Sequence, residues 1–153
     1  MIFPIPKTFQ EFKEIYFEND KLINKASPAD ARYKWFTKVY KMYTKNMPKT
    51  LLDTILKRDI KKGKFKENIS ICKNAFPYIR LISKSKTKHF LIWQIEARSD
   101  DNFTNREFIE AIVREWLGTK GYSANHPFII HTNNINQKSI KNIEHWHLFV
   151  APK

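Results

Sequence analysis

The sequence predicts an α+β fold in which N-terminal helices precede an antiparallel sheet of about four strands with a crossover helix. Three observations lead to this fold. Apolar side chains recur at helical spacing up to residue 62, short runs typical of strands follow from residue 76, and a capping box opens a helix between those runs. With 153 residues, 42% of them apolar, we expect a single domain, 1–153, with a helical part (1–62) and a sheet-containing part (76–153).

Three helices are predicted in the helical part. Thr8-Phe9-Gln10-Glu11 is a capping box, and apolar residues at helical spacing follow it. Ser27-Pro28 supplies an N-cap and a first-turn proline for the second helix, which ends at Pro48. The third helix carries an apolar stripe that starts at Leu51, and it stops at Gly63.

The sheet-containing part alternates strand-like runs with one helix. The first two runs are joined by a short polar link, which is typical of a hairpin. Thr104-Asn105-Arg106-Glu107 is a second capping box, and Gly118 and Gly121 end the helix that it opens. The four predicted strands are Tyr78–Ser83, His89–Ala97, Pro127–Thr132 and His145–Ala151.

Composition excludes several classes of protein. Three glycines and an aromatic content of 14% exclude collagen-like and disordered chains. The single cysteine, Cys72, excludes an internal disulfide and any metal site built from several cysteines. No apolar run approaches the roughly 20 residues that span a bilayer, so we expect a cytoplasmic protein without a membrane partner. The oligomeric state is left open.

The charge balance favours an anionic partner. Lysine and arginine number 28 against 15 acidic residues, which gives a net charge of +13. Such an excess is typical of nucleic-acid-binding proteins, and we expect single-stranded DNA as the partner. The densest stretch, which we call the basic cluster, consists of Lys57, Arg58, Lys61, Lys62, Lys64 and Lys66.

Three histidines near the end of the chain form a candidate metal site. His145 and His147 lie two apart on a predicted strand, so their side chains point to the same face. If the strand before them pairs as a symmetric hairpin, His131 lies directly opposite His145 at about 5 Å. Three neutral imidazoles on one face can bind a divalent metal such as Mn, Mg, Ni or Zn and leave positions open for a substrate. His89 and His126 have no such predicted partner.

These segments resemble the His-hydrophobic-His (HUH) endonucleases, specifically the conjugative relaxases and mobilisation nucleases. The matching segments are Lys88–Ile95, Asn105–Leu117 with Gly118 and Gly121-Tyr122, Phe128–Asn134 and Glu144–Val150. The resemblance implies that the three histidines hold a metal that polarises the scissile phosphate of single-stranded DNA. It also implies a tyrosine nucleophile upstream of the histidines that nicks the strand and stays linked to its 5′ end.

The upstream tyrosines are the candidates for that nucleophile. Among Tyr16, Tyr33, Tyr40 and Tyr43, we choose Tyr40 and Tyr43 jointly. Tyr43 lies nearest the end of the predicted second helix. Lys41 and Lys45 are close to it and could hold phosphate and lower the pKa of a phenol.

Two other functions remain open. Asn133 and Asn134 stand where the HUH family usually has an acidic residue, which suggests a non-catalytic nucleic-acid-binding domain. In that case the basic cluster contacts phosphates while Trp35, Trp93 or Trp146 stacks on bases. The third reading is a histidine-triad-like nucleotide hydrolase, carried by Asn134, Asn136, Gln137, His145 and His147, although Ile143 stands where the triad needs a histidine.

Overall fold

A computed structural model describes residues 3–19, 22–23, 58–74, 77–96, 102–132 and 145–153. The described elements are α1 (Phe9–Lys13), a π-helical segment (Glu14–Asn19), β1 (Lys64–Lys66), β2 (Ile69–Lys73), α2 (Ile79–Ile82), β3 (Lys88–Gln94), α3 (Arg106–Thr119), β4 (Phe128–His131) and β5 (His145–Val150). The strands form one antiparallel sheet in the order β1-β2-β3-β5-β4. The α+β class is therefore confirmed, with five strands where about four were expected.

The first capping box is confirmed, whereas the N-cap of the second helix is Asn105, one residue after the predicted Thr104. The Thr8 hydroxyl accepts a hydrogen bond from the Glu11 amide at 3.1 Å, and α1 begins at the next residue. At α3 the cap is Asn105, whose side-chain oxygen accepts from the Phe108 amide at 3.2 Å. The second predicted helix and most of the third lie outside the described residues, although residues 58–62 are helical.

One predicted strand is a helix, and two strands of the sheet were not predicted. The run predicted as a strand at Tyr78–Ser83 contains the helix α2, because a short apolar run has no clear period. This helix buries Leu81 and Ile82 in the same apolar cluster as Phe12 of α1 and Phe149 of β5. The strands β1 and β2 were missed, and in β1 a lysine stands on each side of Phe65. Lysines at an edge strand discourage pairing with another chain, so they are compatible with a strand there.

The sheet has two differently covered faces. Side chains alternate along β5, so Trp146, Leu148 and Val150 point to one face while His145, His147 and Phe149 point to the other. The first face packs against α3, and the Trp146 indole N–H donates to the Phe103 carbonyl at 2.8 Å. We call the second face the histidine face; α1 and α2 pack on it through apolar side chains that include Phe12, Leu81 and Ile82.

Within the part of the chain that the structure describes, no helix combines the length and the apolar character that crossing a bilayer requires.

Candidate functional site

The three predicted histidines do share the histidine face, but their register differs from the prediction. His131 in β4 lies opposite His147, not His145. Only a tight turn fixes the register of a hairpin, and the connection between these strands is too long to place its midpoint from sequence. Because the difference is two residues, the face is preserved. The ring centroids of His131 and His147 are 6.2 Å apart, and those of His145 and His147 are 5.4 Å apart.

His89 joins this group as a fourth histidine that the sequence interpretation left out. It lies in β3 opposite Phe149 of β5, which places it on the same face as His147. Its ring stacks on Phe149 with centroids 4.2 Å apart, and only 5% of the residue is exposed. The alternation of side chains along β3 assigns His89 to one face of that strand, but only the pairing of β3 with β5 shows that this face is the one that carries His147.

A chain of hydrogen bonds determines which nitrogen of each buried ring carries a proton. The Tyr78 backbone N–H donates to Nδ1 of His89 at 3.2 Å, so the proton of the neutral His89 ring is on Nε2. The Asn74 amide nitrogen lies 3.4 Å from Nδ1 and 3.3 Å from Nε2 of His89, so it favours neither tautomer. That Nε2 lies 2.9 Å from Nδ1 of His147, which must therefore accept. The neutral His147 ring consequently carries its own proton on Nε2.

Burial keeps both of these rings neutral. Burial, and then the neighbouring His145, together lower the pKa of His89 to about 3. The pKa of His147 lies well below its ordinary value, first because of burial and then because His89, His145 and His131 surround it. At physiological pH the His89–His147 pair is therefore an uncharged hydrogen-bonded unit.

Neutral imidazoles suit a metal, but this arrangement does not offer the lone pairs of a three-histidine centre. Nδ1 of His147 is engaged by His89, and Nε2 of His147 is protonated. Among the described residues, no group of three or more His, Cys, Asp or Glu could hold a metal ion. The residues as placed do not fit a metal bound through His147, and no chemical step is assigned to one. The divalent metal stays a prediction.

The described tyrosines change the set of candidate nucleophiles. Tyr40 and Tyr43 lie outside the described residues, as does Tyr33. Tyr16 is buried, its hydroxyl donates to the Pro4 carbonyl, and burial raises its pKa, so it is a poor nucleophile. Tyr78, which the sequence analysis did not consider, lies beside the histidines, with ring centroids 4.7 Å from His89 and 5.5 Å from His147.

The basic cluster does not form one uniform patch. Lys66 donates to the Glu115 carboxylate on α3 at 2.6 Å, whereas Lys64 pairs with Ser70 and so belongs to the histidine face. Arg58 lies 3.9 Å from the Asp59 carboxylate, and Lys57 is outside the described residues. The members that are exposed and form no ion pair within the described part of the chain are Lys61, Lys62 and Lys64.

Base stacking on two of the predicted tryptophans is excluded by their burial. Trp93 is 2% exposed and packs on His145 at 4.7 Å between centroids, and Trp146 is 5% exposed. The prediction was therefore wrong for both residues, because their strands are central and covered on each face. Trp35 and the four upstream positions of the histidine-triad reading, Asn134, Asn136, Gln137 and Ile143, lie outside the described residues.

A comparison with models of protein families shows which family the chain belongs to. The model of DUF3605, described as a protein of unknown function, matches residues 8–151. The chain belongs to the DUF3605 family. A comparison with curated proteins gave no match. The HUH resemblance receives no support from these findings and stays a prediction.

One solved structure is similar to this DUF3605 chain in fold. It is described as the crystal structure of HTC1, and the alignment covers 95% of this chain and 85% of that one, with a TM-score of 0.51 and 15% sequence identity. At this identity the similarity concerns the fold alone.

Proposed function

We propose that this DUF3605 chain is a nucleic-acid-binding protein whose preferred ligand is single-stranded DNA. The observation that carries the proposal is its uncompensated positive charge. The net charge is +13, and Lys61, Lys62 and Lys64 are exposed without an ion-pair partner in the described part of the chain. Cations of this kind release counterions when they contact phosphates, and this release drives binding irrespective of sequence.

Replacing Lys61, Lys62 and Lys64 together with alanine tests this proposal. Each phosphate contact contributes about 0.7 to the slope of log K against log salt for single strands, so losing three contacts should flatten the slope by about 2. Fluorescence anisotropy of a labelled oligonucleotide, measured over a range of salt concentrations, gives the slope. Lys66→Ala is the matched control and should change it less, since Glu115 already compensates Lys66. If Lys66→Ala changes the slope as much as Lys61→Ala, Lys62→Ala or Lys64→Ala does when each is made alone, the assignment of the phosphate contacts is contradicted.

A second candidate function is nicking of that DNA at the histidine face, and the position of Tyr78 favours it. Its ring lies beside His89 and His147, as the HUH resemblance requires of a nucleophile. In this reaction the phenol oxygen bonds to phosphorus while the bond to the 3′ oxygen breaks. The 3′ oxygen takes a proton, and the 5′ phosphate remains on the tyrosine. Binding remains the leading function because Tyr78 itself is only 7% exposed and the histidines in β3 and β5 are at most 9% exposed.

Covalent adduct formation tests the nicking reaction. A pool of single-stranded oligonucleotides is incubated with the protein and Mn, Mg, Ni or Zn, or with a chelator, and a denaturing gel reveals any shifted band. We expect Tyr78→Phe or one of Tyr40→Phe and Tyr43→Phe to abolish the adduct, together with His145→Ala. If no metal supports an adduct with the wild type, nicking is excluded and the binding function stands alone.

A further inference from the structure

A second cationic surface, distinct from the basic cluster and from the histidine face, lies at one end of the sheet. It forms where the start of β3, the residues after α3 and the residues after β5 meet. We call it the Tyr122 patch, and it consists of Lys88, Lys120, Tyr122 and Lys153.

The Tyr122 ring holds the Lys88 and Lys153 side chains of the patch in place, whereas the Lys120 ammonium lies 5.8 Å from the centroid of the Trp116 ring. The Lys88 ammonium donates to the Tyr122 hydroxyl at 3.3 Å. The Lys153 ammonium lies 4.6 Å from the centroid of the same ring and donates to the Lys120 carbonyl at 3.0 Å. Gly121 adopts a φ of +83° that favours glycine, and this turn brings Tyr122 back towards the end of β5.

No acidic side chain accompanies these cations in the segments that build the surface. Residues 77–95, 116–132 and 145–153 contain Arg80, Lys84, Lys86, Lys88, Lys120 and Lys153 but no Asp or Glu. Among the described residues, none of Lys88, Lys120 and Lys153 forms an ion pair. Like charges gathered without a counterion repel one another, and a bound anion relieves that repulsion.

Neighbouring groups extend the preorganised cationic surface. The Arg114 guanidinium lies 4.5 Å from the centroid of the Phe128 ring and donates to the His126 carbonyl at 2.6 Å. The His126 ring in turn contacts Tyr122, with centroids 4.5 Å apart, and its Nε2 lies 2.7 Å from the Ala151 carbonyl oxygen. Contacts of this kind restrict the cations before a ligand arrives, which lowers the entropic cost of binding.

We infer that the Tyr122 patch binds a phosphate of a nucleic-acid backbone, an inference that rests on the proposed binding function and assigns it a second contact surface. Lys153 and His126 already contact the half-buried Tyr122 ring, so the patch offers contacts to phosphate rather than a platform for base stacking. A membrane surface is disfavoured, since insertion needs exposed apolar side chains. The exposed large apolar residues of the described chain are Ile5, Ile79 and Phe108, and none belongs to the patch.

The test compares two double variants that lose the same charge from different places. Lys88→Ala with Lys153→Ala removes the patch, whereas Lys7→Ala with Lys13→Ala removes two lysines from the N-terminal segment around α1. Anisotropy of a labelled oligothymidine over a range of salt should give a slope about 1.4 flatter for the patch variant, two contacts at 0.7 each, and a smaller change for the control. Circular dichroism establishes that both variants are folded. In the wild type, NMR should show the Gly121 and Tyr122 amides shifting on addition of the oligonucleotide.

The outcomes separate this inference from the function on which it rests. If the wild type does not bind the oligonucleotide, the proposed function fails. If the wild type binds but the patch variant matches the control and the Gly121 and Tyr122 amides do not shift, the inference is overturned and the function stands. Tighter patch-dependent binding to vesicles rich in phosphatidylserine than to the oligonucleotide would overturn the choice of nucleic acid.

Discussion

Replacing Phe149 with alanine should lower the free energy of unfolding by about 3–5 kcal/mol, the range typical of a large aromatic side chain removed from a core. Phe149 is fully buried at the centre of the histidine face. Its ring contacts Phe12 of the N-terminal helix at 5.1 Å and His89 at 4.2 Å between centroids. The substitution therefore removes the packing between α1 and the sheet and loosens the support of the histidine pair.

Phe108→Ala is the matched control for this prediction. The same side chain is removed, but Phe108 is 36% exposed on α3, so its loss should cost far less. Urea unfolding followed by tryptophan fluorescence gives both values. A loss of less than about 1 kcal/mol for Phe149→Ala would show that α1 does not pack on the sheet as described.

Acidification should destabilise the protein steeply, with His89 as a main contributor. The ring has an ordinary pKa of 6.5 when unfolded and a pKa of about 3 when folded, so between these values the unfolded chain binds a proton that the folded chain excludes. Stability is thus fully present above pH 6.5 and is lost as the pH falls towards 3. The full difference corresponds to about 5 kcal/mol. His147, whose pKa is also lowered, adds to the loss in the same direction.

His89→Gln should reduce this dependence on pH. Glutamine does not titrate, and its amide N–H can replace the donor that His89 presents to Nδ1 of His147. His126→Gln, in the loop before β4, controls for the loss of a histidine as such. Urea unfolding between pH 8 and pH 4 gives the stability, and ¹⁵N NMR of the imidazoles gives the tautomers and the pKa. A His89 ring that titrates near its ordinary pKa, or that carries its proton on Nδ1, would contradict the buried neutral pair.

Several features of the fold could be predicted because they depend on neighbours in the chain. The caps at Thr8 and Asn105 satisfy amides three residues away, so a few neighbouring residues placed both helices, although the predicted second cap was Thr104 rather than Asn105. The shared direction of His145 and His147 follows from the alternation of a strand. The histidine face was therefore predictable in its two central members, together with the α+β class.

Other features depend on pairing between distant segments, which no local pattern encodes. His89 and His147 are 58 residues apart, and only the register of β3 with β5 brings their nitrogens to 2.9 Å. The same holds for Tyr78, whose backbone amide sets the tautomer of His89. Burial of the two rings lowers the pKa of both. The hydrogen bond between them engages Nδ1 of His147, the nitrogen that a metal would need.

The charges of the chain also separate what the sequence determines from what the tertiary structure decides. Sequence determined that the chain carries an excess of 13 positive charges and that Lys57–Lys66 is its densest stretch. The tertiary structure decided which of these charges are compensated, because it places Glu115 of α3 against Lys66 and gathers Lys88 and Lys153 around Tyr122. Charge is a property of composition, whereas its compensation depends on which side chains the folded sheet and helices bring within a few ångströms of each other.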